Sequence, residues 1–213
     1  MKKIMIVGAH GAIARLVTER LLAETQVELV LYLRQAERLN QYATNSRVTL
    51  VDGDVNDTEK LRQAMTGVDM IYSNLGGVDL GEQTKQLLLA MQQTGQTRLV
   101  FMSALGAHHE VTGKFGDWNE QAIHYFLPGF RSAAEQLVAA GVTYTEVRPA
   151  WLTDQPEISY ETTTLADGFK GTEVSRASVA DFIVKVIEDP STYQKESIGL
   201  NKPNTDGDQP SWF

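Results

Sequence analysis

The sequence predicts an α/β fold: a doubly wound parallel sheet with helices on both faces, in a single domain over residues 1–213. Three observations predict it. Short β-rich runs alternate with helical patterns through the first 150 or so residues. A small-residue turn, Gly8-Ala9-His10-Gly11-Ala12-Ile13-Ala14, lies where the first strand gives way to the first helix. The 213 residues are 42% hydrophobic and 22% charged, an ordinary globular composition in a chain long enough to bury roughly 70% of its unfolded surface.

The elements follow in order. "KIMIV" (3–7) reads as a buried strand, and Ala12 to Glu24 carries leucines and valines at helical spacing. "ELVLYL" (28–33) is a second strand, followed by a short helix from Gln35 to Ala43. "RVTLV" (47–51) is a third strand, and "DTEKLRQAM" (57–65) opens with an acidic cap before a helix. "DMIYS" (69–73), a helix from about Glu82 to Gln93, and "RLVFMS" (98–103) come next. A helix from about Arg131 to Ala140 stops at Gly141, and "TYTEVR" (143–148) is the sixth strand. Right-handed crossovers join strands of this kind, and the ligand crevice lies at their carboxyl ends. Past residue 150 the pattern loosens into a small extension completing the substrate side, in which 175–190 is an amphipathic helix ended by Pro190. The polar segment 202–213 is expected to fray or to drape over the surface.

Composition excludes several classes. There is no cysteine, hence no disulfide framework and no thiolate nucleophile. A net charge of −8 leaves no basic excess to displace phosphate counterions, which argues against nucleic acid as a partner. No apolar run approaches the ~20 residues a membrane helix needs. The Met1-Lys2-Lys3 start only faintly imitates a signal peptide. A cytoplasmic protein, monomer or homodimer, is expected.

The turn Gly8-x-x-Gly11-x-x-Ala14 carries the first functional expectation. Glycine permits positive φ and close approach, and the amides of a helix start attract a pyrophosphate. A small third residue lets helix and strand pack closely. Gly8, His10 (through its backbone amide), Gly11, Ala12 and Ile13 are therefore expected to hold a dinucleotide. The second strand ends in Arg34, where an acidic residue would suit the ribose hydroxyls of NAD. An arginine fork suits the 2′-phosphate of NADP instead, so NADP(H) is preferred and NAD(H) remains possible.

The loop, "LYLR", "VDGDVND" (51–57), "SNLGG" (73–77), "FMSALG" (101–106), "AAEQL" (133–137), "TYTEVRPAWL" (143–152) and "SRASVADFI" (175–183) occur in an order that resembles the atypical short-chain dehydrogenases/reductases. Within these the chain is most similar to the NmrA-like, NAD(P)H-binding group that includes the biliverdin reductase B / flavin reductase type. The resemblance covers about residues 3 to 200 and implies a Rossmann fold. It further implies that Asp54 and Val55 contact the adenine, that the backbone of Asn74, Leu75 and Gly76 runs beside the adenine ribose and pyrophosphate, and that Arg148-Pro149-Ala150 passes near the nicotinamide.

Typical members reduce carbonyls with a serine and a Tyr-x-x-x-Lys pair, in which one helical turn sets the ammonium near the phenol and lowers its pKa. None of the seven tyrosines here has a lysine four residues later. Aligned on "AAE", Arg131 stands at the lysine position and Leu127 at the tyrosine position. Arg131 cannot serve as an acid, yet it can bind ribose hydroxyls or a phosphate. Ser103, at the carboxyl end of the fifth strand, is the candidate to hydrogen-bond a substrate carbonyl or the nicotinamide amide. His124 and Tyr125, just before Pro128-Gly129, are candidate substitute proton donors. His108-His109-Glu110 has no further ligand cluster near it in sequence, so no metal is expected. Trp118 and Trp151 could line a flat pocket or belong to the core.

Two readings follow. In the first, an NADP(H)-dependent oxidoreductase passes hydride to a small conjugated acceptor, a quinone, flavin or similar, whose product takes its proton from water. In the second, a non-catalytic NmrA-like protein senses NADP(H). An epimerase or dehydratase acting on a sugar nucleotide is disfavoured, since fewer than 65 residues follow Pro149.

Overall fold

A computed structural model describes residues 2–213. The element order is β1 (Lys3–Val7), α1 (Ala12–Glu24), β2 (Glu28–Leu33), a 3₁₀ segment (Ala36–Tyr42), β3 (Val48–Asp52), α2 (Thr58–Ala64), β4 (Met70–Ser73), α3 (Leu80–Thr94), β5 (Arg98–Met102), α4 (Gly113–Ala122), α5 (Leu127–Ala139) and β6 (Thr143–Pro149). Three short strands follow, β7 (Trp151–Thr153), β8 (Glu161–Thr163) and β9 (Glu173–Ser175), then α6 (Arg176–Glu188) and β10 (Glu196–Asn201).

Alternation in the strands builds two cores from one sheet. Ile4 and Ile6 of β1 face α1 and α6, together with Leu21, Leu31 and Ile183. Met5 and Val7 face the other way, toward Leu61 of α2, Leu87 of α3 and Leu137 of α5. Strands buried on both faces need near-continuous apolar runs, which is why "KIMIV" and "ELVLYL" read as they do. The sheet order is β3-β2-β1-β4-β5-β6-β10-β8, parallel throughout except that β8 pairs antiparallel with β10. A separate two-stranded piece joins β7 to β9. Order reverses between β1 and β4, the place where such sheets open a crevice at their carboxyl ends.

Most expected boundaries agree to within two residues. Asp57 does cap α2, its side chain accepting from the Lys60 amide at 3.0 Å, and Gly141 follows α5 with φ +70. The differences lie in the second half. The helix expected from Arg131 begins at Leu127, with Pro128 in its first turn, where proline's missing N–H costs nothing. Helix α4, carrying Gly113, Gly116 and Asn119, has no strong local signal and was not anticipated. Nor were β8 and β10, which extend the sheet beyond β6. Of the two expectations for segment 202–213 the structure shows the draped one: Phe213 lies against Trp118 and Trp151, and Trp212 against Phe213, with both rings still partly in solvent.

Candidate functional site

Two cavities meet along the carboxyl edge of the sheet. The first, a cleft of about 340 Å³, lies over the β1–α1 turn and the ends of β2, β3 and β4. The second, of about 660 Å³, opens beyond β5 and β6. Both are lined by Asn74, Leu75 and Gly76, so the β4–α3 loop is a wall common to the two.

The glycines of the turn are needed for close approach to that wall. Gly8 has φ +79, and a Cβ there would stand 2.8 Å from the Asn74 carbonyl oxygen. A Cβ at Gly11 would meet the Asn74 side-chain nitrogen at 2.0 Å. Asn74 is itself oriented by the Tyr72 hydroxyl, which donates to its Oδ1 at 2.6 Å. Gly11 is the N-cap of α1 and offers no side chain to the first helical turn, leaving those amides free to bind a negative group. Ala12 and Ile13 begin the helix and face the larger cavity.

At the far end of the cleft stand Arg34 and Arg38. The Arg34 side chain is 80% exposed, with Asp54 at 3.8 Å, so its charge is available to a ligand. Arg38, one turn further along the 3₁₀ segment, escaped the sequence reading; its signal was the second arginine in "LRQAER". Burial, then the Arg38 and Arg15 charges, hold the His10 imidazole below its usual pKa, so that it adds no charge to the cleft near neutrality. Asp54 and Val55 form the floor; the Asp54 carbonyl accepts from the Tyr32 hydroxyl at 2.8 Å, which fixes the β3–α2 loop. A backbone cradle, free helix amides and two arginines fit a dinucleotide.

The larger cavity differs in chemistry. Its walls are Ile13, Met102, Phe126, Phe130, Trp151 and Phe213, among others. Trp118 packs behind them, its ring centroid 4.7 Å from Trp151 and 5.0 Å from Phe213. The Trp151 indole donates to Asn119 of α4 at 3.0 Å, which holds the ring on edge. Ser103 lines the cavity with 4% exposure, and its hydroxyl lies on the Glu146 carboxylate, whose charged form it helps to hold. Its backbone amide donates to Val147 at 2.8 Å, so β5 and β6 fix the residue in place. Pro149 and Ala150 also line the cavity.

Behind Ser103 lies a buried charge network. Arg148, fully buried, pairs with Glu110 at 2.5 Å and donates to the Ser197 hydroxyl at 2.7 Å. Glu146 pairs with His108 at 2.6 Å and accepts from Ser197 at 2.5 Å. The Glu146 hydrogen bond raises the His108 pKa. Burial pushes the Glu146 carboxyl up, but the His108 and Ser197 bonds outweigh it and hold it below the usual carboxylate value. The Glu110 carboxylate also accepts from the Gly106 and His108 amides, so it shapes the loop after β5. Of the stretch expected near the nicotinamide, Pro149 and Ala150 line the larger cavity, while the Arg148 side chain turns into this network.

Three expected roles need correction. The Arg131 guanidinium is committed to the Gly106 carbonyl and to Glu120 of α4, and lines neither cavity. His124 bonds the Gln121 carbonyl at 2.8 Å and lies against Tyr125, which is 75% exposed. In the tight turn between α4 and α5 it is Ile123 and Phe126 that face the cavity, so His124 and Tyr125 point outward. His108 belongs to the network and His109 is exposed; among the described residues no group of three His, Asp or Glu is placed to hold a metal ion. Sequence reasoning missed Arg176, Trp212 and Phe213 at the cavity.

A model of a protein family described as NAD(P)H-binding matches residues 8–190. Among solved structures, a Rossmann-fold NAD(P)-binding family protein from Shigella flexneri is 38% identical, with TM-score 0.84 over 99% of this chain and 98% of its own. A short-chain dehydrogenase/reductase from Veillonella parvula, solved in complex with NADP, is 28% identical, with TM-score 0.92 over 99% of both chains. Among curated proteins, eugenol synthase 1 of Petunia hybrida is 30% identical over 110 residues, a match covering 49% of this chain and 35% of that enzyme. The chain therefore spans about a third of the length of that plant relative.

Proposed function

The chain belongs to the NAD(P)H-binding family, and from that premise we propose that it is a cytoplasmic NADP(H)-dependent reductase that transfers hydride to a small conjugated acceptor such as a quinone or flavin. One observation carries the reading: an aromatic-walled cavity adjoins the dinucleotide cleft along the β4–α3 loop, which lines both.

NADPH, when bound, supplies the hydride. The chain's part is to bind and orient. The amides after Gly11 and the Asn74 side chain would hold the pyrophosphate, and Arg34 and Arg38 would hold the 2′-phosphate, where two guanidinium groups would favour NADP over NAD. Ile13, Pro149 and Ala150 border the nicotinamide end. The aromatic walls accept a flat ring system, on whose carbonyl oxygen negative charge grows during hydride transfer. Delocalisation keeps that charge mild enough for water to protonate the product. A site lacking a tyrosine–lysine pair can therefore still reduce a quinone, while a simple aldehyde, whose alkoxide is a strong base, needs an acid the cavity does not offer.

Loss of NADPH absorbance is the test, with a benzoquinone, a naphthoquinone, FMN and a simple aldehyde as acceptors and NADH in parallel. The expected result is quinone or flavin turnover with NADPH preferred and no aldehyde turnover. Tight NADPH binding without turnover of any acceptor would favour an NADP(H)-sensing protein instead.

A further inference from the structure

Asn74 follows β4 directly and stands on the wall common to both cavities. Its backbone is pinned to β1, the amide donating to the Val7 carbonyl at 2.8 Å. Its side-chain oxygen is taken by Tyr72, whose hydroxyl donates to it at 2.6 Å, the one hydrogen bond of this side chain among the described residues. The side-chain nitrogen is left over. It lies 2.0 Å from the point a Cβ on Gly11 would occupy, whereas the Asn74 Cγ is 3.2 Å from that point. The NH₂ group, and not the carbonyl, therefore stands beside the N-cap of α1.

That polarity has a chemical consequence. A carboxamide oxygen in the same place could accept from the first amides of α1, as an N-cap side chain does. An NH₂ group cannot. Helix α1 has no side-chain cap, so its first amides and the Asn74 nitrogen are donors gathered at one helix end without an acceptor side chain among them. Such a cluster suits a bound anion. Tyr72 decides between the two polarities. It is fully buried, and Asn74 is the one partner of its hydroxyl. Burial pushes its pKa up, so the hydroxyl keeps its proton. With the carboxamide turned round, that buried proton would have no acceptor, a larger loss than an ordinary hydrogen bond is worth.

We infer that Tyr72 is a positioning residue for cofactor binding: its hydroxyl holds the Asn74 carboxamide nitrogen-first toward α1, keeping the helix start uncapped and open to the dinucleotide pyrophosphate. The inference rests on the dinucleotide half of the reductase reading and is independent of hydride transfer. The Tyr72 ring belongs to the core on the α1 side of the sheet, so Tyr72→Phe removes the hydroxyl and leaves the packing in place.

The experiment is calorimetry on wild type, Tyr72→Phe, Asn74→Ala and the double variant, with NADP⁺, NAD⁺ and adenosine 2′-monophosphate, which has no pyrophosphate. Tyr72→Phe should weaken both dinucleotides by the same factor, about fivefold, the worth of one hydrogen bond, and leave adenosine 2′-monophosphate unchanged. Asn74→Ala should weaken both by about tenfold or more, as loss of a hydrogen bond to a charged group does. Adding Tyr72→Phe to it should cost nothing further, because the hydroxyl acts only through the carboxamide. Asn74→Asp keeps an oxygen for Tyr72 but sets a second oxygen where the nitrogen was, and should weaken both dinucleotides more than Asn74→Ala does. That last comparison decides the matter if Tyr72→Phe does not fold. The inference is overturned by unchanged dinucleotide binding in Tyr72→Phe, by an equal loss for adenosine 2′-monophosphate, or by a loss that persists in the Asn74→Ala background. Wild-type affinity in Asn74→Asp would overturn it as well. A wild type that binds neither dinucleotide would overturn the inference and the reductase reading together. Coupled losses in a protein that turns over no acceptor would refute the reading and support the inference.

Discussion

The two ends of the cleft are built in opposite ways. The dinucleotide end is mostly backbone: a turn with positive φ at Gly8, free amides at the start of α1, and the β4–α3 loop pressed against Gly11. Its parts lie within the first 80 residues and depend on local conformation. The acceptor end is mostly side chain, assembled from Ile13, Ser103, Phe126, Trp151, Arg176 and Phe213, which span two hundred residues of sequence. Backbone binds what every dinucleotide shares, and side chains gathered from afar bind what one acceptor has. The first end carries what the family has in common, and the second what this chain assembles from distant residues.

That contrast can be broken or sharpened, beginning with the largest effect. Arg148 and Glu110 sit behind the acceptor end as a buried pair. Arg148→Ala takes the buried cation away from Glu110, which keeps only the Gly106 and His108 amides, and should cost about 3–5 kcal/mol of stability in urea unfolding. A loss below about 1 kcal/mol would mean that the acceptor end does not rest on this network. Next, Arg34→Ala and Arg38→Ala should each weaken NADP⁺ binding by about 1.5–3 kcal/mol, the range for a hydrogen bond to a charged group. NAD⁺ binding, read by calorimetry on the same variants, should barely move. Parallel losses for both cofactors would contradict the assignment of these arginines to the 2′-phosphate.

Smaller still is the effect of the aromatic wall. Phe213→Ala removes ring contacts with Trp118 and Trp151, worth about 0.5–1.5 kcal/mol each beyond the area they bury. Acceptor affinity should fall accordingly while NADP⁺ affinity stays constant. The mildest effect is a pH dependence. The pKa of His108 is raised by its bond to Glu146, so its contribution to stability is complete below its unfolded value of 6.5 and is lost as pH rises through the higher folded value. Glu146 is held low, so its contribution is present above 4.5 and is lost as pH falls through the lower folded value. Melting temperature should therefore show the pair at full strength between about 4.5 and 6.5. The upper limb should disappear in His108→Gln. An upper limb that persists in the variant would place its origin elsewhere.

The same contrast explains what the sequence made legible. Strands β1, β2 and β5 are apolar runs buried on both faces, and α1 has its leucines at helical spacing; both signals are local. The Gly8–Gly11 turn and Arg34 could be read because their role follows from position within one strand–turn–helix unit. The acceptor end gave no such handle. Helix α4 has glycines and asparagine where a clear periodic face would be needed. His124 and Tyr125 stood at the right place in the chain, but in a tight turn adjacent side chains diverge, and their neighbours Ile123 and Phe126 took the inner side. Arg131 stood at an aligned position, yet Glu120 of α4 claims it. Arg176, Trp212 and Phe213 reach the cavity only through tertiary folding, and nothing adjacent to them in sequence announces it.

In the proposed reaction hydride passes from the dinucleotide end to a separable acceptor end. Steady-state kinetics with NADPH and a naphthoquinone, comparing wild type with Arg34→Ala and Phe213→Ala, tests it most directly. Turnover is expected in all three, with kcat/KM for NADPH falling only in Arg34→Ala and kcat/KM for the quinone falling only in Phe213→Ala. No turnover in the wild type, or equal losses on both substrates in either variant, would contradict it.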